Sequence, residues 1–118
     1  MPTSPLLDQG IKLFNRGMYF EAHEVWEDLW RETDGPLRNF YQGLIHAAVG
    51  LYHLRQENAT GARIQLGKSL ARLGAYPGEC EGIDNAGLME ELAGVRERLE
   101  AQGIRILRVN DKDGAKGC

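Results

Sequence analysis

An all-α fold, a single-domain bundle of about five helices, is what this sequence predicts, and helical periodicity is the first reason. Apolar residues recur three and four positions apart along most of the chain, while strand-like alternation is nearly absent. The second reason is punctuation: Gly17, Asp34-Gly35-Pro36 and the stretch GAYPGECEGIDNAG (74–87) cut the periodic segments apart. The third is a faint internal repeat. Gly10, Ala22, Trp26 and Trp30 recur forty positions later as Gly50, Ala62, Leu66 and Leu70, and Ile11 and Phe14 match Leu51 and Leu54. A small residue followed by bulky ones at +4 and +8 is how stacked helical hairpins pack, so two hairpins of tetratricopeptide-like packing plus a C-terminal helix are expected.

Each element follows from its own signals. Ser4 is placed to cap a first helix over about 5–16, whose apolar set is Leu6, Ile11, Leu13 and Phe14. Gly17 suits the position after a helix, where positive φ is common. A second helix spans about 18–32 and ends at Asp34-Gly35-Pro36, with proline tolerated in the first turn of the next. The third helix, about 36–56, carries its main stripe on Leu37, Phe40, Tyr41, Leu44, Ala48, Leu51 and Tyr52. Ile45, Ala47, Val49 and Leu54 widen that stripe, and a helix apolar on most sides is central. Gly43 and Gly50 lie together where a neighbour can come close. A fourth helix, about 59–74, turns Ala62, Leu66, Leu70 and Leu73 inward. Residues 74–87 read as a loop. Asp84 caps a fifth helix running to about 101, with Leu88, Leu92, Val95 and Leu99 inward. IRILRV (104–109) alternates and is expected to be extended. The domain is drawn at 1–110, with 111–118 a flexible tail.

Bulk properties narrow the function classes. The 118 residues carry a net charge of −3, which argues against a general nucleic-acid binder. Two cysteines, Cys80 and Cys118, form neither a disulfide framework nor a CxxC, so a reducing, cytoplasmic setting is expected. No apolar run is long enough to span a membrane, and no charged-then-apolar leader opens the chain. Phosphate-binding glycine loops and GxSxG are absent, so no reaction is named by a motif. Arg63, Lys68 and Arg72 make the fourth helix locally basic, which reads as a solvated face or as a contact for an anionic partner.

The second helix holds the one constellation with chemistry. In YFEAHEVWEDLWR (19–31), His23 falls about 20° from Trp30 on a helical wheel, and Glu27 follows it one turn on. Both are flanked by aromatics. Glu24 points farther out, and Glu21 and Asp28 point away. On the third helix Gln42, His46 and His53 share a stripe, with Asn39 nearby. If the second helix packs there, the two sets make a polar cluster of His23, Glu24, Glu27, Gln42 and His53. That cluster has three readings: a satisfied polar network, a small-ligand site, or a divalent-metal site on His23, Glu27 and His53. The metal reading would make the protein a hydrolase or an oxidoreductase, and whether it is an enzyme at all is left open. HEVWE lacks the second histidine of HExxH. A third class is a helical-hairpin interaction module, as a homo-oligomer or with a protein partner.

The two blocks YFEAHEVWEDLWR and FYQGLIHAAVGLYH resemble the signature blocks of the domain-of-unknown-function family numbered 309. The likeness covers about residues 10–75. It rests on Gly17, Glu21, His23, Glu24, Trp26, Glu27 and Trp30, then on Gln42, Gly43 and His53. The resemblance implies a small, all-helical bacterial or archaeal protein and transfers no established activity. Where the family's second block more often reads QGLIQ, this chain has QGLIH, so His46 is not a family position and His23, Glu27 and His53 are the better trio.

Overall fold

A computed structural model of the chain describes residues 4–113, and the side chains of residues 4–100. Helix α1 (Pro5–Asn15) starts where expected: the Ser4 hydroxyl accepts the Leu6 amide at 3.2 Å, and Pro5 occupies the first turn, where a missing N–H costs nothing. It ends at Gly17, whose φ of +79° lets Met18 N–H reach back to the Leu13 carbonyl. Helix α2 (Tyr19–Arg31) follows at once, and α3 (Leu37–Arg55) begins beyond Gly35-Pro36. Helix α4 (Ala59–Leu73) is capped by Asn58, whose side-chain oxygen accepts the Gly61 amide at 3.0 Å.

Each helix packs on the next in sequence order, with α3 in the middle. Phe40, Leu44, Ala47 and Ala48 of α3 are buried, as its broad apolar surface requires. Close approach is bought with glycine at repeat-related places. A Cβ at Gly10 would overlap the Trp26 indole, and one at Gly50 would stand 2.9 Å from Leu66 Cδ2. Gly10 with Trp26 and Gly50 with Leu66 are the same two positions forty residues apart, so each hairpin closes on the equivalent contact. Gly43 gives α4 the same access, with Leu73 Cδ2 2.8 Å from where its Cβ would be.

Three expectations need correction. Leu7 is fully buried and is the centre of the first helix's apolar set; its carbonyl accepts the Trp26 indole N–H at 3.3 Å. The loop over 74–87 contains a small hairpin, β1 (Glu79–Cys80) antiparallel to β2 (Ile83–Asp84). Glu81 and Gly82 turn it with φ of +52° and +77°, the double positive pattern of a two-residue hairpin loop. Strands this short have no periodicity to read. The third correction concerns IRILRV, which is helical: α5 (Asn85–Asp113) runs through it. Ile106 lies seven residues after Leu99, itself seven after Leu92, so the helical stripe continues and the local alternation is incidental. Residues 111–113 of the expected tail thus belong to α5, and 114–118 lie outside the described residues. The Asp84 cap holds, accepting the Gly87 amide at 2.9 Å.

Candidate functional site

His23 and Glu27 do meet. One helical turn apart, they place His23 Nε2 3.4 Å from Glu27 Oε2, while His23 Nδ1 lies 3.0 Å from the Phe20 carbonyl. A ring that donates from Nδ1 to that carbonyl holds a carboxylate through Nε2 only when Nε2 also carries a proton. The other Glu27 oxygen lies 3.6 Å from Arg31, which bonds Asp28 at 2.7 Å. The result is a ladder of polar side chains running along α2. Phe20 stacks beside His23 and Tyr52 with ring centroids 5.2 Å apart in both pairs. Glu24 is exposed.

The polar stripe of α3 turns to α4. His46 Nδ1 donates to Gln65 Oε1 at 2.7 Å, and its Nε2 accepts from Gln42 Nε2 at 3.4 Å. Burial pushes the His46 imidazole below its usual range, the Gln65 bond opposes this, and the Arg72 and Lys68 charges add to the lowering. Arg72 reaches Asn39 Oδ1 at 2.5 Å. His53 meets Asn58, the α4 cap, with Asn58 Nδ2 3.4 Å from its Nδ1. His23 and Glu27 therefore form one local pair, and Gln42, His46 and His53 serve the α3–α4 seam. Among the described residues, no three His, Cys, Asp or Glu side chains converge in a way that would hold a metal ion.

The tryptophans behave as anchors. Trp26 is buried in the core, and Trp30 is covered by the Arg38 guanidinium 3.8 Å above its ring. A buried cluster lies at the hairpin. Burial, then Glu81 and Cys80, push the Tyr41 hydroxyl up to about 12. Burial and Glu81 also raise the Cys80 thiol, which keeps it in the unreactive protonated form.

The feature that sequence reasoning missed is a groove. Two adjoining cavities of about 510 and 500 Å³ lie between α1 and α5 and share Phe14, Leu88, Glu90 and Glu91. Ile11 and Phe14 of α1 form one wall, and Leu88 and Val95 of α5 form the other. Leu44, Ala47 and Leu51 of α3 make the floor. The rim is acidic: Asp84, Glu90 and Glu91 are all exposed along it, with Arg98 at the far end. The available signal was the apolar spread of the third helix on a side that no single neighbour could cover. Among the described residues, no helix is long and apolar enough to cross a membrane.

Comparison with known proteins places these observations in a family context. The family described as "Domain of unknown function (DUF309)" matches residues 7–65. "Uncharacterized protein YpuF" of Bacillus subtilis (strain 168) is 34% identical over 106 residues, covering 85% of this chain and 61% of the relative. An "Uncharacterized protein" of Aquifex aeolicus (strain VF5) is 26% identical over 96 residues, covering 78% of this chain and 29% of the relative. The chain thus spans about three fifths of the first relative and under a third of the second. No solved structure matches.

Proposed function

The chain belongs to the DUF309 family, and from that premise we propose that it is a helical interaction module whose α1–α5 groove docks a basic amphipathic helix. The observation that carries this reading is the groove's composition. An apolar floor and walls bounded by Asp84, Glu90 and Glu91 suit a ligand with one apolar face and a positively charged flank. The groove is open and elongated, as a helix requires. A small-molecule site would instead enclose its ligand with a few convergent polar groups. The repeated Gly10–Trp26 and Gly50–Leu66 contacts support tetratricopeptide-type hairpins, a scaffold that lends itself to concave binding surfaces.

In this reading the His23–Glu27 pair is structural. A half-buried i, i+4 pair of this kind contributes only a few tenths of a kcal/mol, about 0.3–0.5, and orders the surface of α2 beside Phe20 and Tyr52. A cytoplasmic setting belongs to the same reading, since a buried free thiol such as Cys80 suits a reducing compartment.

The test uses a fluorescein-labelled amphipathic peptide with leucines on one face and arginines on its flanks. Its anisotropy should rise saturably with protein. Glu90→Lys combined with Glu91→Lys should weaken binding, as should added salt. An anisotropy that stays flat across the concentrations at which the chain is monomeric would remove the proposal.

A further inference from the structure

We propose that the groove's occupant is the distal half of α5 from a second copy of this chain, in an antiparallel, two-fold pair. This rests on the groove reading above and names its partner.

Two hydrogen bonds fix how α5 lies on α4. Asn85 Nδ2 donates to the Leu73 carbonyl at 3.0 Å, and Arg96 Nε donates to the Arg63 carbonyl at 3.2 Å. The helices are therefore antiparallel, and α5 draws level with the start of α4, at Ala59, near Glu100. Residues 101–113 carry α5 roughly 20 Å past that end, at 1.5 Å per residue. The sequence of this extension is not that of a polar overhang. Leu88, Leu92, Val95 and Leu99 alternate at spacings of four and three, and Ile106 and Val109 fall on the same heptad lines.

A second heptad line, starting at the Asp84 cap and continuing along α5, reads Asp84, Glu91, Arg98, Arg105, Lys112. Acid occupies one end and base the other. Two copies of such a line attract only when antiparallel. A two-fold axis at Arg98 brings position 105 level with Glu91 of the second copy, and position 112 level with its Asp84. Parallel pairing would set like against like. The same axis brings positions 106 and 109 level with Glu90 and Gly87 of the second copy, beside the groove walls. By two-fold symmetry, each copy's extension covers the other's groove.

Gly94 is the independent observation. It sits in mid-helix, where glycine costs roughly 1 kcal/mol relative to alanine. Among the described residues nothing requires it: a Cβ there would meet Arg98 Nη1 at 3.7 Å and no other atom within 4 Å. Gly10, Gly43 and Gly50 each admit a neighbouring helix of the same chain; Gly94 borders the groove with that place open. With Gly87 and Ala101 it forms a small-residue line next to the charged one, which lets a second helix come close.

Sedimentation velocity on the full chain over a wide concentration range tests this. The wild type should show a concentration-dependent dimer. Glu91→Arg and Arg105→Glu should each raise its dissociation constant roughly tenfold, because symmetry turns two attractions into repulsions. The two changes together should return it to within about threefold of wild type. Arg98→Gln, which removes the like charges at the axis, should tighten it. A wild type that stays monomeric at hundreds of micromolar overturns the pairing, as does a dimer that the single reversals leave unchanged or the double reversal fails to restore. A monomer that still binds the labelled basic peptide leaves the groove reading standing; a monomer that binds no peptide removes both.

Discussion

His46 sits in a polar seam with its Nδ1–H given to Gln65 and its Nε2 turned to the Gln42 amide. A second proton on Nε2 would meet a donor, with the Arg72 and Lys68 charges close by, on top of the loss of water that burial imposes. The folded-state pKa is therefore below the unfolded value of 6.5. The sign follows: above 6.5 both states are neutral and stability is full, and it falls as pH drops from 6.5 through the folded-state pKa, because the unfolded chain binds the proton first. Urea midpoints at pH 7.5 and 5 should show this acid loss, and His46→Gln, which keeps partners for both glutamines, should shrink it. Two glycines make a second contrast. Gly10→Ala should cost about 1–3 kcal/mol, since its Cβ has to displace a Trp26 ring that is buried and tied to the Leu7 carbonyl. Gly94→Ala should gain up to about 1 kcal/mol in the dilute monomer, where its side is open. Denaturant titration distinguishes them. The His23–Glu27 pair was legible in the sequence because an i, i+4 relation is local. The partners of His46 and His53 were not, because a wheel gives the direction of a side chain and not the helix that covers it.

Asn85 ties down the start of α5. Buried at the start of the helix, its amide N–H groups donate to the Leu73 and Pro77 carbonyls at 3.0 and 3.1 Å, with the Tyr76 carbonyl at 3.5 Å. Those carbonyls lie at the end of α4 and in the loop after it; the Leu73 carbonyl also accepts the Tyr76 amide at 3.1 Å, so the Asn85 amide is its second donor. Asn85→Ala should therefore cost about 1–3 kcal/mol, chiefly by taking the side-chain donor from the half-buried Pro77 carbonyl, and it should loosen α5 before the rest of the bundle unfolds. Hydrogen exchange at amides 85–100, compared with those of α3, reads this directly. The boundaries of the first four helices were readable within a residue or so, because Ser4, Gly17 and Gly35-Pro36 act through local backbone geometry; the Asn58 cap of α4 was not singled out. The hairpin and the far end of α5 were not. Two residues per strand leave no periodicity, and in IRILRV a six-residue alternation masked a seven-residue line that only the helix upstream makes visible.

At the scale of the molecule, the five helices of the described residues, packed in chain order, leave α3 covered on two sides by α2 and α4 and open toward the gap between α1 and α5. The sequence carried the apolar surplus of α3 but not its direction, since direction depends on how the hairpins stack. The consequence is a groove with an apolar floor and an acidic rim, and docking of a basic amphipathic helix in it is the central claim. Amide chemical shifts map that claim residue by residue. When labelled protein, at a concentration dilute enough to be monomeric, is titrated with the arginine-flanked amphipathic peptide, the account predicts shifts concentrated on Ile11, Phe14, Leu51, Leu88, Glu91 and Val95. Amides on the outer faces of α2 and α4, such as Glu24 and Lys68, should stay still. Shifts confined to the His23–Glu27 face, or no shifts at all, would contradict it.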